Sequence, residues 1–600
     1  MLKTNRKTVG LAACALLVFS LQSIILMLTH SAGSDEEMCL LAAHRYVVQG
    51  KIDIAIDHPP FVKQWAGLPY LFMKIKFPTK DVDSVLARDE PFNQWMYGAR
   101  FLYSMGNPAE QMIIRSRLMF VPFGILLALL LFHWARETIG ESAALYSLAF
   151  FAFTPTLIAN SAVAMMDFTL TTFWFGNLYF LFRYFRDRKS KDLVYAGICL
   201  GLALASKFSP LMMVPLLYLL CFWYAWSHAD TALEKNLKVP FWALALATIL
   251  IATHRFSALA FSPLIFLWTR RLFPRVNFLA DRRLQAALKM SFMVLAIAFA
   301  ILAIDYYQPY YIFHKFRPFK LFFRGMQIFR GHALSGQTTF LFEKTSKTGW
   351  WYYYPITLPL QLPIPLLLSS VLGLGVLARQ GKLRGAEGAL LWLMPFAYFF
   401  LSSFVNKTQT GIRYLLPVFP FLILWAGAGA AWLQSLIPKK ITWVFPVIFV
   451  GWLAVSVLAD FPSYFSYANP LTKLLGGKEY VLGFSSGGLG QDVKRLRNYV
   501  RKEGITHVNA MLHWDSFEEL KYYGIPNMWG KRARRALENK KPGVYVIDRV
   551  NYMWMKDRPE LGWLKTRPPD ARVGESFLIY RLPGPESVTS PKPSASGAGT

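Results

Sequence analysis

The sequence predicts a polytopic α-helical membrane protein of about 12–13 transmembrane helices, with amphipathic helices in its first external loop and a small C-terminal α/β domain. Three observations carry this. Of 600 residues, 54% are hydrophobic and 16% aromatic, a composition of the membrane class. The net charge of +30 falls in short basic clusters between apolar runs, the pattern of cytoplasmic loops, which excludes a nucleic-acid partner and suits a lipid bilayer with anionic lipids. From Asp460 the long apolar runs give way to alternating helical and β-branched segments.

The N-terminus is basic, and its apolar run from about Val9 to Leu28 has the roughly 20 residues that cross a bilayer. It reads as an uncleaved first span, because the acidic residues just beyond it make sense only if held at the membrane. With Lys3, Arg6 and Lys7 inside, residues 31–115 form a first periplasmic loop whose "PYLFMKIKF" and "PFNQWMYGARFLY" suit helices lying in the interface. Apolar runs follow near 117–134, 142–162, 168–185, 193–206 and 208–226. The stretch 239–268 is too long for one span, and two short or partly re-entrant spans keep the basic "TRRLFPRVNFLADRR" inside. A span at 286–304, a second periplasmic loop at 305–352 and spans near 355–377, 387–404, 413–433 and 441–459 complete a transmembrane domain of residues 1–459. Residues 460–583 form the periplasmic α/β domain, and the Pro/Ser/Gly-rich 584–600 a disordered tail. Cys14, Cys39, Cys199 and Cys221 are scattered, without the spacing of a disulfide framework or a thiolate metal site. No internal repeat is visible.

This topology puts the chemically suggestive residues on one external face. In "SDEEMCL", Asp35, Glu36 and Glu37 follow the first span; they suit a helix N-terminus as well as a reactive carboxylate. In "DHPPFVK", two prolines hold Asp57 and His58 extended, with Lys63 about one and a half turns into the helix that follows. An Asp beside a His suits a divalent cation, and a nearby Lys suits a phosphate; a loop salt bridge would use the same residues. In "GHALSGQTTFLFEKTSKTGWWYYYP", glycines, His332 and Glu343 precede five aromatics that include Trp350 and Tyr353. An interfacial belt explains the aromatics, though not the polar run before them. Arg413 stands at the lip of a span, placed to snorkel or to meet a lipid phosphate. Asp167 lies at an external span boundary, where carboxylates are costly and functional.

These motifs resemble the polyprenyl-phosphate-dependent glycosyltransferases of the C-type superfamily, in the bacterial branch related to protein O-mannosyltransferases and the lipid A aminoarabinose transferase. Asp35-Glu36 is similar to the acidic pair after that family's first span. "GKIDIAIDHPPFVK" is similar to its G-D…E/D-H-P-P-L-x-K segment, and "MMDFTL" to its T-D-x-x-L. "ASKFSPL", "GWWYYYPITLPLQLPIPLLL", "RYLLPVFPFL" and "GQDVKRLRNYV" also have counterparts. Two positions depart: Leu489 replaces a Trp common in relatives, and Asp57 stands where Glu is commoner, shortening its reach by one methylene.

The resemblance implies a multi-pass enzyme of the bacterial inner (cytoplasmic) membrane, with its active site facing the periplasm. It would move a sugar from a polyprenyl-phosphate-linked donor to a hydroxyl on an acceptor protein or glycolipid, with inversion. Asp35 would be the general base, beside Glu36. Lys63 and Arg413 would neutralise the departing phosphate. Asp57 and His58 would hold a divalent metal (Mg, Mn or Zn) or the phosphate end directly, with no nucleotide required. Asp167, His332, Glu343, Trp350 and Tyr353 would line the substrate side. A transporter or flippase of lipid-linked sugars is the competing class; it predicts mid-membrane charges and repeated halves, where this sequence has charges on one face and no repeat.

Overall fold

The computed structural model describes residues 5–87, 93–228, 282–306, 318–482, 490–512 and 517–583. The paired spans expected in 239–268, the basic stretch after them and the tail at 584–600 lie outside these residues. The chain divides into two compact units: Met1–Leu28, Cys39–Lys74 and Glu110–Val481, and Thr29–Met38, Ile75–Ala109 and Leu482–Thr600.

The first unit is helical. Among the described residues six helices are long and apolar enough to cross a membrane: Arg6–Thr29, Ala109–Thr138, Ser209–Ser227, Gln285–Asp305, Gly385–Phe404 and Ile412–Ser435. Two further candidates are bent pairs. Glu141–Ala152 and Pro155–Ser161 meet at 63°, and Tyr353–Leu360 and Ile364–Arg379 at 115°. The straight span expected over 355–377 is thus a sharp corner. Pro359 lies inside its first helix and Pro363 is extended (φ −54°, ψ 135°), so the helical hydrogen bonding cannot run through. Met166–Asp187 and the shorter Ser190–Ser206 and Val444–Leu458 fill the other expected runs. Met166–Asp187 is buried along nearly its whole length.

Small residues let these helices approach closely. Gly373, in Ile364–Arg379, lies against the backbone of Trp425 and Gly429 in Phe419–Ser435. Gly197 and Gly201, in Ser190–Ser206, lie against Ile297, Ala298 and Ile301 of Arg282–Asp305. A β-carbon at any of these glycines would collide with the neighbouring helix, which is how helices pack where apolar surroundings give no hydrophobic drive.

The second loop holds more structure than a connector. A helix, Pro318–Ser335, precedes a two-residue hairpin between β1 (Thr339–Leu341) and β2 (Lys344–Ser346). Phe342 and Glu343 both take positive φ there (50° and 59°), the backbone of a tight hairpin turn.

The second unit is built on a five-stranded sheet of order β4-β3-β5-β7-β6. Here β3 is Val508–Met511, β4 Asn527–Trp529, β5 Gly543–Asp548, β6 Ala571–Val573 and β7 Phe577–Leu582. β3 runs parallel to β4 and β5; β7 runs antiparallel to β5 and β6. Strand alternation splits its core in two. Val508, Ala510 and Val546 face a layer with Val493, Leu496 and Leu520, while Met511, Tyr545 and Ile547 face one with Ala533, Leu537 and Leu561. The helix Gln94–Tyr103, capped by Asn93, joins this unit through ring contacts of Tyr103 with Tyr522 and Tyr523 at 5.3 and 6.3 Å.

Candidate active site

The loop from Gly50 to Pro60 is fixed by side chains around it. Arg45, buried at the end of the helix Ser34–Val47, donates to both carboxylate oxygens of Asp53 (2.9 and 2.6 Å) and to Gln49 (2.6 Å). The Tyr46 hydroxyl donates to the Ile54 carbonyl at 2.5 Å. Ala55 takes a positive φ of 49°. Pro60 then caps the short helix Phe61–Gly67, which puts Lys63 in its first turn, earlier than the sequence suggested.

Lys63 is fully buried. Its ammonium donates to the carbonyls of Ala55 and, at 3.0 Å, His58. It therefore fastens the two ends of the segment carrying Asp57 and His58 while placing its charge beside them. Oδ1 of Asp57 and Nδ1 of His58 are both buried without a hydrogen-bond partner. Burial lowers the His58 imidazole to about 4, so the ring is neutral near pH 7. Burial acts to raise the Asp57 carboxyl, but its neighbours His58 and Lys63 outweigh it and leave the group below its ordinary range. With His58 neutral, Lys63 supplies the standing positive charge.

A second charged pair sits at the open end of a helical hairpin. Met166–Asp187 and Ser190–Ser206 run side by side, closed by Arg188 in the left-handed conformation. Asp167, near the start of the first helix, therefore meets Lys207, just past the end of the second. Lys207 Nζ donates to Asp167 Oδ1 at 2.5 Å, and both are buried. The Lys207 ammonium also lies 4.2 Å from the centre of the Tyr414 ring, a cation–π contact. Arg413, half-buried in the 3₁₀ turn Ile412–Val418, acts on Asp167 through its charge.

Aromatic contacts bring the two clusters together. Phe208, adjacent to Lys207, packs on Phe329 (5.8 Å), and Phe329 packs on His58 (5.6 Å). Gly325, one turn earlier in Pro318–Ser335, lies against the Ile56 carbonyl with no room for a side chain. The charges of Lys207 and Asp167 accordingly act on His58. His332, exposed three residues beyond Phe329, acts on Asp57. Asp57, His58, Lys63, Asp167, Arg413 and His332 thus converge within the first unit.

The remaining second-loop residues are placed differently. Glu343 is exposed at the hairpin tip, its N–H donating to the Tyr480 carbonyl at 3.0 Å. Trp350 is partly buried; its backbone N–H and carbonyl are both bonded by the Gln409 amide at 2.9 Å, against which Gly349, at a φ of 68°, lies directly. Tyr353 is buried edge-on to Tyr354.

Asp35 and Glu36 belong to the second unit. Asp35 is half-buried in the first turn of the helix Ser34–Val47, and its Oδ1 accepts from Trp95 Nε1 at 3.4 Å. Glu36 and Glu37 are buried, as is Glu519 of the sheet domain. The Tyr103 hydroxyl stands 3.5 Å from Glu519. Burial, with the like charges of Glu519 and Glu36, pushes the Glu37 carboxyl well up.

Asp57 and His58 offer two orphaned, buried ligand atoms. Among the described residues no group of three His, Cys, Asp or Glu side chains is placed to hold a metal. A two-ligand set fits a cation that takes its other ligands from a phosphate substrate and water, and the imidazole nitrogen suits a transition ion such as Zn²⁺ better than Mg²⁺.

Sequence reasoning passed over Lys207 and Asp305. Lys207 had a signal: a lone lysine between two apolar runs, on the same predicted side as Asp167. Asp305 ends the helix Arg282–Asp305, buried, with neither carboxylate oxygen partnered and Lys63 nearby; it fell where a span was expected simply to end.

Residues 91–256 match the family described as dolichyl-phosphate-mannose-protein mannosyltransferase. This agrees with the resemblance read from the motifs over that segment, which spans less than half of the chain. Among curated proteins none matches. Among solved structures, ArnT from Cupriavidus metallidurans bound to undecaprenyl phosphate is 14% identical, with 97% of this chain and 99% of that one covered at a TM-score of 0.42. Oligosaccharyltransferase AglB from Archaeoglobus fulgidus, in complex with an inhibitory peptide and a dolichol-phosphate, is 12% identical over 95% of this chain and 74% of that one, at 0.42. The S. cerevisiae Pmt1-Pmt2 complex bound to the sugar donor is 19% identical over 52% and 34%, at 0.32.

Proposed function

We propose that this protein transfers a sugar from a polyprenyl-phosphate donor to a hydroxyl of a protein or envelope glycolipid, on the periplasmic side of a bacterial inner membrane. The observation that carries the reading is the convergence of Lys63, Lys207 and Arg413 around Asp57, His58 and Asp167, most of it buried. Buried charge of that kind is expensive unless it serves an ionic ligand. The matched family supplies the donor class.

Cleaving the bond between sugar and phosphate leaves an anion that needs neutralising, an electron-poor anomeric carbon, and an acceptor hydroxyl that must lose a proton. Lys207 and Arg413 meet the phosphate; Lys63 adds charge and holds the Asp57–His58 loop in shape. Asp167 orients Lys207 by ion pairing. Asp35, half-buried and aligned by Trp95, takes the acceptor proton with Glu36 beside it, and displacement by a single base inverts the anomeric centre. Asp57 and His58 would hold a divalent metal (Mg, Mn or Zn) supplying further charge at the departing phosphate. Trp350, Tyr353 and His332 form the sugar side. Glu343, at an exposed hairpin tip, stands outside this set.

The test is release of free polyprenyl phosphate by the purified protein in liposomes, from a panel of polyprenyl-phosphate sugars with a membrane extract as acceptor source. Release that requires the extract is the expected result. Transbilayer exchange of the same lipids without release would replace this reading with that of a flippase.

A further inference from the structure

The sheet of the second unit carries a cavity of about 520 Å³, lined by Glu503, Thr506, His507, Asn509, Met528 and Lys541 among others. That volume lies in the range of small-molecule sites, about 300–1,000 Å³. It lies at the amino-terminal edge of the parallel strands, where β3 and β5 begin, with Ala536 of the helix Lys531–Glu538 in its lining.

Asn509 breaks the local pattern. It sits on β3, paired on both sides, on the face whose neighbours Met511, Ala536 and Tyr545 are core. Parallel registers set Met528 on one flank and Tyr545 on the other. The side chain is 6% exposed; its Nδ2 donates to the Val544 carbonyl at 3.5 Å, and its Oδ1 has no hydrogen-bond partner. A buried amide oxygen left unsatisfied in the middle of a sheet costs about 1–3 kcal/mol and has a use when a ligand completes it.

Lys541, exposed, is the lysine among the lining residues. The segment leading to it, residues 531–541, also holds Lys531, Arg532, Arg534, Arg535 and Lys540 against a single acid, Glu538. Among the described residues none of the six is engaged in an ion pair. Glu503, the acid at the cavity mouth, is already matched by Arg581 at 2.8 Å, leaving Lys541 and His507 to face an incoming group.

We infer that this cavity binds an anionic sugar unit, a uronic acid or a phosphorylated sugar, with Asn509 reading a hydroxyl and Lys541 the charge. The choice of a sugar rests on the glycosyl-transfer reading; the cavity and its charge stand without it. In that role the domain would hold an acidic saccharide of the acceptor.

Full-length protein in nanodiscs is titrated with glucuronate, glucose 1-phosphate, glucose and inorganic phosphate, followed by ligand-observed NMR and calorimetry. Both anionic sugars should saturate, with glucose and inorganic phosphate about tenfold weaker or worse. Lys541→Glu, at an exposed position, should weaken the anionic sugars about tenfold with thermal unfolding unchanged. Asn509→Leu should weaken every sugar. Absence of saturable sugar binding overturns the inference, as does glucose or inorganic phosphate binding as tightly as glucuronate, or Lys541→Glu leaving affinity unchanged. Polyprenyl-phosphate release is read separately: binding without release defeats the transferase reading alone, and release without binding defeats this inference alone.

Discussion

Two acidic segments of this chain share burial and differ in their neighbours. At the start of the helix Ser34–Val47, Glu37 is buried with Glu36 and Glu519, and its carboxyl is pushed well above the usual range. In the loop before Phe61–Gly67, Asp57 is buried too, yet its neighbours His58 and Lys63 hold its carboxyl below the usual range. Burial alone raises a carboxyl; a nearby cation reverses it. The first segment favours the protonated form of its carboxyl and the second the ionised one, the contrast on which the proposed roles rest.

The change with the largest expected effect removes the proposed proton acceptor. Asp35→Asn should reduce polyprenyl-phosphate release by about a hundred- to ten-thousand-fold, while membrane insertion and size-exclusion profile stay as in the wild type. Turnover within about threefold of wild type would take the base role from Asp35. On the charged side, Asp167→Asn leaves the Lys207 ammonium buried without its partner and should destabilise the protein by about 3–5 kcal/mol. The double variant Asp167→Asn/Lys207→Met should lose less than that in thermal unfolding. Equal losses would mean that the 2.5 Å contact is not where the charge is balanced.

How much of this was legible in the sequence differs between the same segments. The spans, the hairpin placing Asp167 and the "DHPPFVK" loop followed from hydropathy, charge and proline. The corner at Pro363 did not, because hydropathy registers an apolar stretch and not whether its backbone hydrogen bonds run through it. Lys63 was readable as a cation near Asp57, while its hydrogen bonds to the Ala55 and His58 carbonyls depend on a backbone path no local pattern encodes. Lys207 was visible as a lone charge between apolar runs but gained meaning only from its distance to Asp167. Glu343 was readable as part of a polar run; that a hairpin turn displays it at an exposed tip was not.

The titration of the two acids sharpens the comparison at smaller effect. Glu37 has a folded value raised above its ordinary 4.5, so the stability it contributes is complete below 4.5 and lost as pH rises through the raised value. Asp57 has a folded value below its ordinary 3.8; its contribution is complete above 3.8 and lost as pH falls. Unfolding followed from about pH 5 to 8 should therefore show a loss of stability that Glu37→Gln flattens and Asp57→Asn leaves in place. An unchanged slope in Glu37→Gln would assign the pH dependence to other groups.

The smallest effect belongs to Glu343→Gln. Its side chain is exposed where the backbone turns with positive φ at both central residues, and the turn is anchored through backbone N–H groups to the Val481 and Tyr480 carbonyls at 3.0 Å. Glutamine keeps the size and the anchoring bonds and removes only the charge, so both release rate and unfolding temperature should stay near wild type, with stability changed by no more than about 0.5 kcal/mol. Trp350, by contrast, is held by Gln409 and partly buried, and Gln409→Ala should loosen it, raising the donor KM with little change in unfolding temperature. A Glu343→Gln variant that lost release as heavily as Gln409→Ala would mean that the hairpin tip meets substrate, and the sugar side would then extend from Trp350 to the turn.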